Sequence, residues 1–175
     1  MSGKSRKRQT FRPEKIISGG QTGVDRGALD AAIAMGISQS GWCPKGRLAE
    51  DGPIPPVYHL TETDSPEYAV RTEKNVLDSD ATLILCRGCP SGGTELTLRL
   101  AARHKRPYRV VDLDDPPPLA QLRRWLSKVR PATLNVAGPR ESQAPGIAEQ
   151  ATELLVRLFA DEKSIQGRAV VVPIT

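Results

Sequence analysis

Ala81-Thr82-Leu83-Ile84-Leu85-Cys86 is followed by Arg87-Gly88-Cys89-Pro90-Ser91-Gly92-Gly93-Thr94-Glu95. A short, continuous apolar run of this kind is what a strand needs when both faces are covered, as in a parallel sheet. The Gly-rich turn behind it leads into a predicted helix from about Thr94 to His104. Strand, glycine turn and helix together form the repeating unit of an α/β protein.

The same alternation extends in both directions. Upstream, Lys15 to Ser18 reads as a first strand, and Val24, Ala28, Ala31, Ala32 and Met35 recur at helical spacing. Ile37 to Trp42 reads as a weak second strand. A Pro- and Gly-rich stretch from Pro44 to about Pro66 is too long for an ordinary connection, which marks it as functional. A helix over about 66–79 should turn Val70, Val76 and Leu77 to the core. Downstream, Tyr108 to Val111 and Thr133 to Ala137 read as strands four and five. Leu119, Leu122, Leu126 and Val129 mark one helix; Ile147, Ala151, Leu154, Leu155, Leu158 and Phe159 mark the last. Ala169 to Ile174 reads as a further strand, on an edge or against a partner chain. The fold class is therefore α/β, a Rossmann-like doubly wound parallel sheet of about five strands with helices on both faces. Right-handed crossovers favour the strand order 2-1-3-4-5, with 3-2-1-4-5 as the second choice.

With 175 residues the chain suits one domain. Five of its 25 basic residues precede the first acid, Glu14, and the rest balance the 20 acids. Residues 1–12 are thus expected to be a basic flexible arm on a single domain over 13–175, and the arm reads as solvated. Aromatics at 4% leave little for base stacking, which argues against nucleic acid as a partner. No run approaches the length of a membrane span, and no apolar segment follows the basic N-terminus as a signal peptide requires. Three cysteines, Cys43, Cys86 and Cys89, without an export signal indicate a reducing, cytoplasmic setting. Cys86 and Cys89 form only half a zinc site, and His59 and His104 lack ligand spacing to them, so no metal site is expected.

Two Gly-rich segments lie between a strand and a helix: Ser18-Gly19-Gly20-Gln21-Thr22-Gly23-Val24-Asp25, and Pro90 to Glu95. Helix N-terminal amides favour anions, and open α/β sheets bind ligands beyond the carboxyl ends of their strands. Both loops should therefore face one crevice and take a phosphate-bearing ligand. Neither is a P-loop or a dinucleotide fingerprint, which argues against an ATPase or a dehydrogenase. Thr22, Ser91 and Thr94 offer hydroxyls to phosphate oxygens, and Asp25 and Glu95 offer carboxylates in the first turn of each helix.

The first loop with Arg26 to Asp30, then Gly41-Trp42-Cys43-Pro44-Lys45-Gly46, Ser91 to Thr94, and Asn135 to Ser142, resembles the molybdenum cofactor carrier family over about residues 15–160. The resemblance implies a Rossmann-like carrier that holds the molybdenum cofactor (molybdopterin, a pterin with a dithiolene and a terminal phosphate) without turning it over. Gly19, Gly20, Gln21, Thr22, Gly23 and Asp25 match in the first loop, and Ser91, Gly92, Gly93 and Thr94 in the second, with Glu95 beside them. Lys45 and Arg47 would reach an anionic ligand from the long loop, and Arg140 and Ser142 would lie on the same rim. Molybdenum enzymes would be the acceptors, and a homo-oligomer, first a tetramer, is implied. The chain is similar also to a wider group containing phosphoribohydrolases, which cleave nucleoside monophosphates. Those place a catalytic Glu three residues after the Thr of their Gly-rich run, where this chain has Thr97. A nucleotide-cleaving enzyme is accordingly the second reading.

Overall fold

The computed structural model describes residues 10–161. The central sheet has five parallel strands: β1 (Lys15–Ile17), β2 (Ser38–Ser40), β7 (Ala81–Cys86), β8 (Tyr108–Asp112) and β9 (Thr133–Ala137). Helices α1 (Val24–Met35), α2 (Tyr68–Leu77), α3 (Gly92–Arg103), α4 (Leu119–Val129) and α5 (Ile147–Phe159) cover both faces. The fold is thus the doubly wound, Rossmann-like class. Every residue of β7 is buried, as its composition requires of a strand covered on both sides. The expected strand at Ala169 to Ile174 lies outside the described residues, as does most of the basic arm. Two arm residues do touch the domain: Phe11 packs against the main core, and Arg12 donates to the Met35 carbonyl at the end of α1.

The strand order is β2-β1-β9-β7-β8, which corrects both expected orders: the fifth main strand sits between the first and third. Helix packing supplies the reason. A Cβ on Gly27 of α1 would come within 2.4 Å of the Ala148 carbonyl oxygen in α5. The missing side chain lets these helices meet backbone to backbone. Thr152 of α5 reinforces the contact by donating to the Gly27 carbonyl at 3.0 Å. With α5 held against α1, the strand that feeds α5 is seated beside β1. Polar bonds then tie β9 to both neighbours: Ser18 Oγ donates to the Val136 carbonyl at 2.6 Å, and Asn135 Nδ2 to Thr82 Oγ1 at 3.3 Å.

The main core lies where α1, α4 and α5 meet the sheet, and includes Ile16, Leu83, Leu85, Leu134, Val136, Leu155 and Phe159. On the opposite side a small cluster of Val76, Leu100 and Ala101 joins α2 to α3. Only Val76 of the three predicted α2 core residues is deeply buried; Leu77 is 39% exposed. The second strand is also shorter than expected. At Gly41 the chain turns with φ 144°, pressed so close to the Ser18 carbonyl that a Cβ would sit 2.0 Å from that oxygen. Beyond the turn, β3 (Trp42–Cys43) leaves the main sheet and pairs in parallel with β6 (Thr61–Glu62). Between them, β4 (Leu48–Ala49) and β5 (Gly52–Pro53) form a small antiparallel hairpin. The Pro/Gly-rich stretch is thus an ordered subassembly over a third cluster, Leu29, Cys43, Ile54 and Tyr58.

Candidate functional site

A cleft with a volume of about 90 Å³ opens at the carboxyl ends of β1, β9 and β7, with α2 as its far wall. It lies where the sheet's winding reverses, since the crossover from β1 through α1 and that from β7 through α3 run in opposite directions. Six of the predicted site residues line it together: Gly19, Gln21 and Asp25 from the first loop, Gly93 and Thr94 from the second, and Arg140 after β9. The first and second loops therefore meet at one crevice, although β9 separates their strands.

The other predicted residues lie around the cleft. Gly20 faces Ile54 and Leu60, and Gly23 closes on the backbone of Pro139 and Arg140. Thr22 donates to Glu50 and accepts from the Glu141 amide at 3.1 Å. Ser142 likewise donates to Glu50 through its hydroxyl and its amide. Ser91 caps α3 by accepting from the Thr94 and Glu95 amides at 3.0 and 3.2 Å, so its hydroxyl is not the capping group. Among the described residues Gly92 and Gly93 face open space, and their amides, first in α3, have no acceptor. Glu95 and Lys45 are exposed and outside the lining. Arg47 is corrected: its guanidinium donates to the carbonyls of Ile54, Pro55, Tyr58 and Leu60, so it builds the long loop and does not reach for an anion.

The first loop departs from the expected anion nest. A Cβ on Gly19 would lie 1.4 Å from Nη1 of Arg71, so the glycine makes room for an arginine from α2. Arg71 Nη1 donates to Asp25 Oδ2 at 2.8 Å, with the two side chains 13% and 3% exposed. The same carboxylate oxygen accepts from the Gln21 amide at 3.3 Å. Two of the first α1 amides are also engaged, Val24 with the Pro139 carbonyl and Arg26 with that of Gln21. Among the described residues the Gly92 and Gly93 amides of α3 have no protein partner, and in the first turn of α1 the Asp25 amide has none.

Arg71, Tyr68 and Asn75 of the cleft wall escaped the reading of the sequence. A signal was present: Tyr68, Arg71, Thr72 and Asn75 recur at i, i+3, i+4 and i+7, a polar stripe at helical spacing. Two guanidinium groups lie near the Tyr68 ring, that of Arg71 at 5.9 Å and that of Arg140 at 5.4 Å from its centre. Asn75 accepts from the Trp42 amide at 2.8 Å and donates to the Trp42 carbonyl at 3.0 Å, which anchors α2 to β3.

The hairpin between β4 and β5 supplies the brace. Glu50 at its tip binds Thr22 and Ser142 and lies 3.9 Å from Arg140, joining the loop after β1 to the loop after β9. Hydrogen bonds from Ser142 and Thr22 hold its carboxyl below the ordinary carboxylate range. Beside it, Asp51 forms a forked pair with Arg26 of α1, which lowers the carboxyl's pKa in the same way. Among the described residues two polar atoms near the cleft have no partner: Nε of Arg71 and Nε2 of Gln21, both buried. Among the described residues no group of three or more His, Cys, Asp or Glu side chains is placed to hold a metal ion, and no helix is long and apolar enough to cross a membrane.

Comparison with known proteins agrees with this architecture. The sequence profile of the circularly permutated YpsA SLOG family matches residues 16–159. A crystal structure of a protein from Syntrophus aciditrophicus SB, described as a candidate molybdenum carrier, is 44% identical and superposes with a TM-score of 0.82. The match covers 86% of this chain and 97% of that one. No curated protein matches.

Proposed function

The chain belongs to the circularly permutated YpsA SLOG family, and from that premise we propose that it binds and carries the molybdenum cofactor. The observation that carries the reading is the cleft itself. Among the described residues it has a polar lining with two arginines and two buried donors without acceptors, and it opens beside an α3 N-terminus whose first amides are unpaired. Such a lining suits an anionic, phosphate-bearing ligand. The fit to this cargo draws as well on the likeness to the Syntrophus aciditrophicus protein, a candidate molybdenum carrier. Gly93, Thr94 and Arg140 would face the ligand, Tyr68 would offer it an aromatic surface, and the metal would stay on the cofactor's own sulfurs. Glu50 would hold two of the ligand-facing loops together. Molybdenum enzymes as acceptors, a cytoplasmic setting and assembly into a homo-oligomer, first a tetramer, complete the proposal.

Carriage is favoured over nucleotide cleavage by where the candidate acids lie. Glu95 is outside the cleft, and the Asp25 carboxylate is already engaged by Arg71 and the Gln21 amide. The test is to incubate the purified protein with released molybdenum cofactor and, separately, with a panel of nucleoside monophosphates. Cofactor retained on the protein and protected from oxidation is the expected result. Free base released at a catalytic rate would establish the hydrolase instead.

A further inference from the structure

We infer that the Arg71 and Gln21 side chains form a cradle for a tetrahedral oxyanion at the inner end of the cleft, and that this cradle, more than the backbone amides of the glycine loops, anchors the ligand's anionic group. The inference deepens the proposed function and rests on it for the nature of the whole ligand.

Orientation of the two donors is fixed. The Gln21 Oε1 accepts from the amides of Thr22 at 3.0 Å and Glu50 at 2.9 Å. Two backbone donors on one atom decide which end of the amide is oxygen, so the other end is an NH₂ group, which has no acceptor among the described residues. Gln21 is only 5% exposed, and leaving such a donor unsatisfied is costly unless a ligand takes it up. Arg71 is held in the complementary way. Asp25 takes Nη1, and among the described residues neither Nε nor Nη2 makes a hydrogen bond. The Nε and Nη2 protons on that edge run parallel, which matches two oxygens of a phosphate-like group. One carboxylate oxygen of Asp25 contacts both Arg71 and the Gln21 backbone, so the two residues are fixed relative to each other.

Size and charge agree. The cleft's volume of about 90 Å³ is well below the roughly 300–1,000 Å³ of pockets that enclose a whole ligand. It suits an oxyanion group, with the remainder of the ligand lying outside, towards Tyr68 and Arg140. Within the lining, the charges of Arg71 and Arg140 exceed that of Asp25, while Glu50 approaches Arg140 from the rim. The oxyanion could belong to a phosphate ester or be a free ion such as molybdate; the chemistry recognised is the same.

The test titrates the full chain calorimetrically with inorganic phosphate, molybdate and a nucleoside 5′-monophosphate, with thermal unfolding followed in parallel. Arg71→Lys keeps the charge opposite Asp25 but loses the fork, and should weaken oxyanion binding about tenfold or more. Gln21→Leu leaves every charge in place and should weaken it several-fold, which decides the matter should the lysine variant fail to fold. Preference for the ester or for molybdate identifies the source of the oxyanion, and either supports the cradle. A wild-type chain that binds none of the three at millimolar concentration, or folded variants that bind as tightly as wild type, would overturn it. Retention of released molybdenum cofactor is measured on the same samples. Oxyanion binding that falls in the variants while wild type fails to retain the cofactor would keep the cradle and refute the cofactor reading. Cofactor retained equally by wild type and folded variants, with oxyanion affinity unchanged, would refute the cradle and leave that reading standing.

Discussion

Gly19 and Gly93 look alike as loop glycines, yet they serve opposite ends. The first is filled by an arginine of its own chain, and the second faces open space on the cleft. Gly19→Ala should therefore push the Arg71 guanidinium off Asp25 and leave a nearly buried carboxylate without its partner. Loss of such a pair costs about 3 kcal/mol, visible as an earlier denaturant midpoint together with weaker ligand binding. Gly93→Val, in contrast, should leave the midpoint nearly unchanged while filling space at the cleft and lowering ligand affinity. Unchanged affinity in that folded variant would remove the second loop from the site. The cysteines make a second contrast at this scale. Burial raises the thiol pKa of Cys43 and pushes that of Cys86 up to about 11, whereas Cys89 is exposed. A thiol reagent at neutral pH should modify Cys89 alone in the native protein, and all three cysteines only after denaturation.

The β4–β5 hairpin is the element that turns a long connection into part of the site. Its tip presents Glu50 to two loops and Asp51 to α1. Both carboxyl groups titrate below their ordinary values because their hydrogen bonds favour the charged form. The folded state thus binds protons less readily than the unfolded chain at these two groups. Their stabilising effect is complete above the ordinary carboxylate range and is lost as pH falls through it towards the lowered values. Melting temperature followed from neutral pH to about pH 3 should fall on acidification, and Glu50→Gln should show a shallower fall. The same variant, by loosening the loops after β1 and β9, should weaken ligand binding at neutral pH. An identical pH profile in wild type and variant would show that the hairpin does not brace the site.

For the molecule as a whole, the decisive contact is the α1–α5 seam. Gly27→Leu would force a side chain against the Ala148 carbonyl and push the helices apart. Overpacking of this kind costs about 1–3 kcal/mol, or roughly 2–4 °C of melting temperature per kcal/mol for a chain of this length. Because α5 seats β9 in the centre of the sheet, the loss should appear in global unfolding and not as local fraying. Hydrogen exchange in β1, β7 and β9 should accelerate together; acceleration confined to α5 would show that the seam does not govern the sheet.

The sequence by itself determined the class of fold and the elements that build it. β7 and β9 fall on the residues where apolar runs place them, and α1, α4 and α5 follow their periodic apolar positions, because burial of one face is a local property of spacing. It also marked both glycine loops, since a strand-to-helix turn leaves its signature within a few residues. Only the tertiary structure decided which strands are neighbours. A strand's periodicity says which faces are buried but not beside which strand it lies, and here that choice was made by a glycine in α1 meeting an alanine backbone in α5. The tertiary structure likewise decided that Arg71, 46 positions from Asp25, completes the cleft. An ion pair across such a separation is created by packing α2 against α3 and β3, and no local pattern in the chain encodes it.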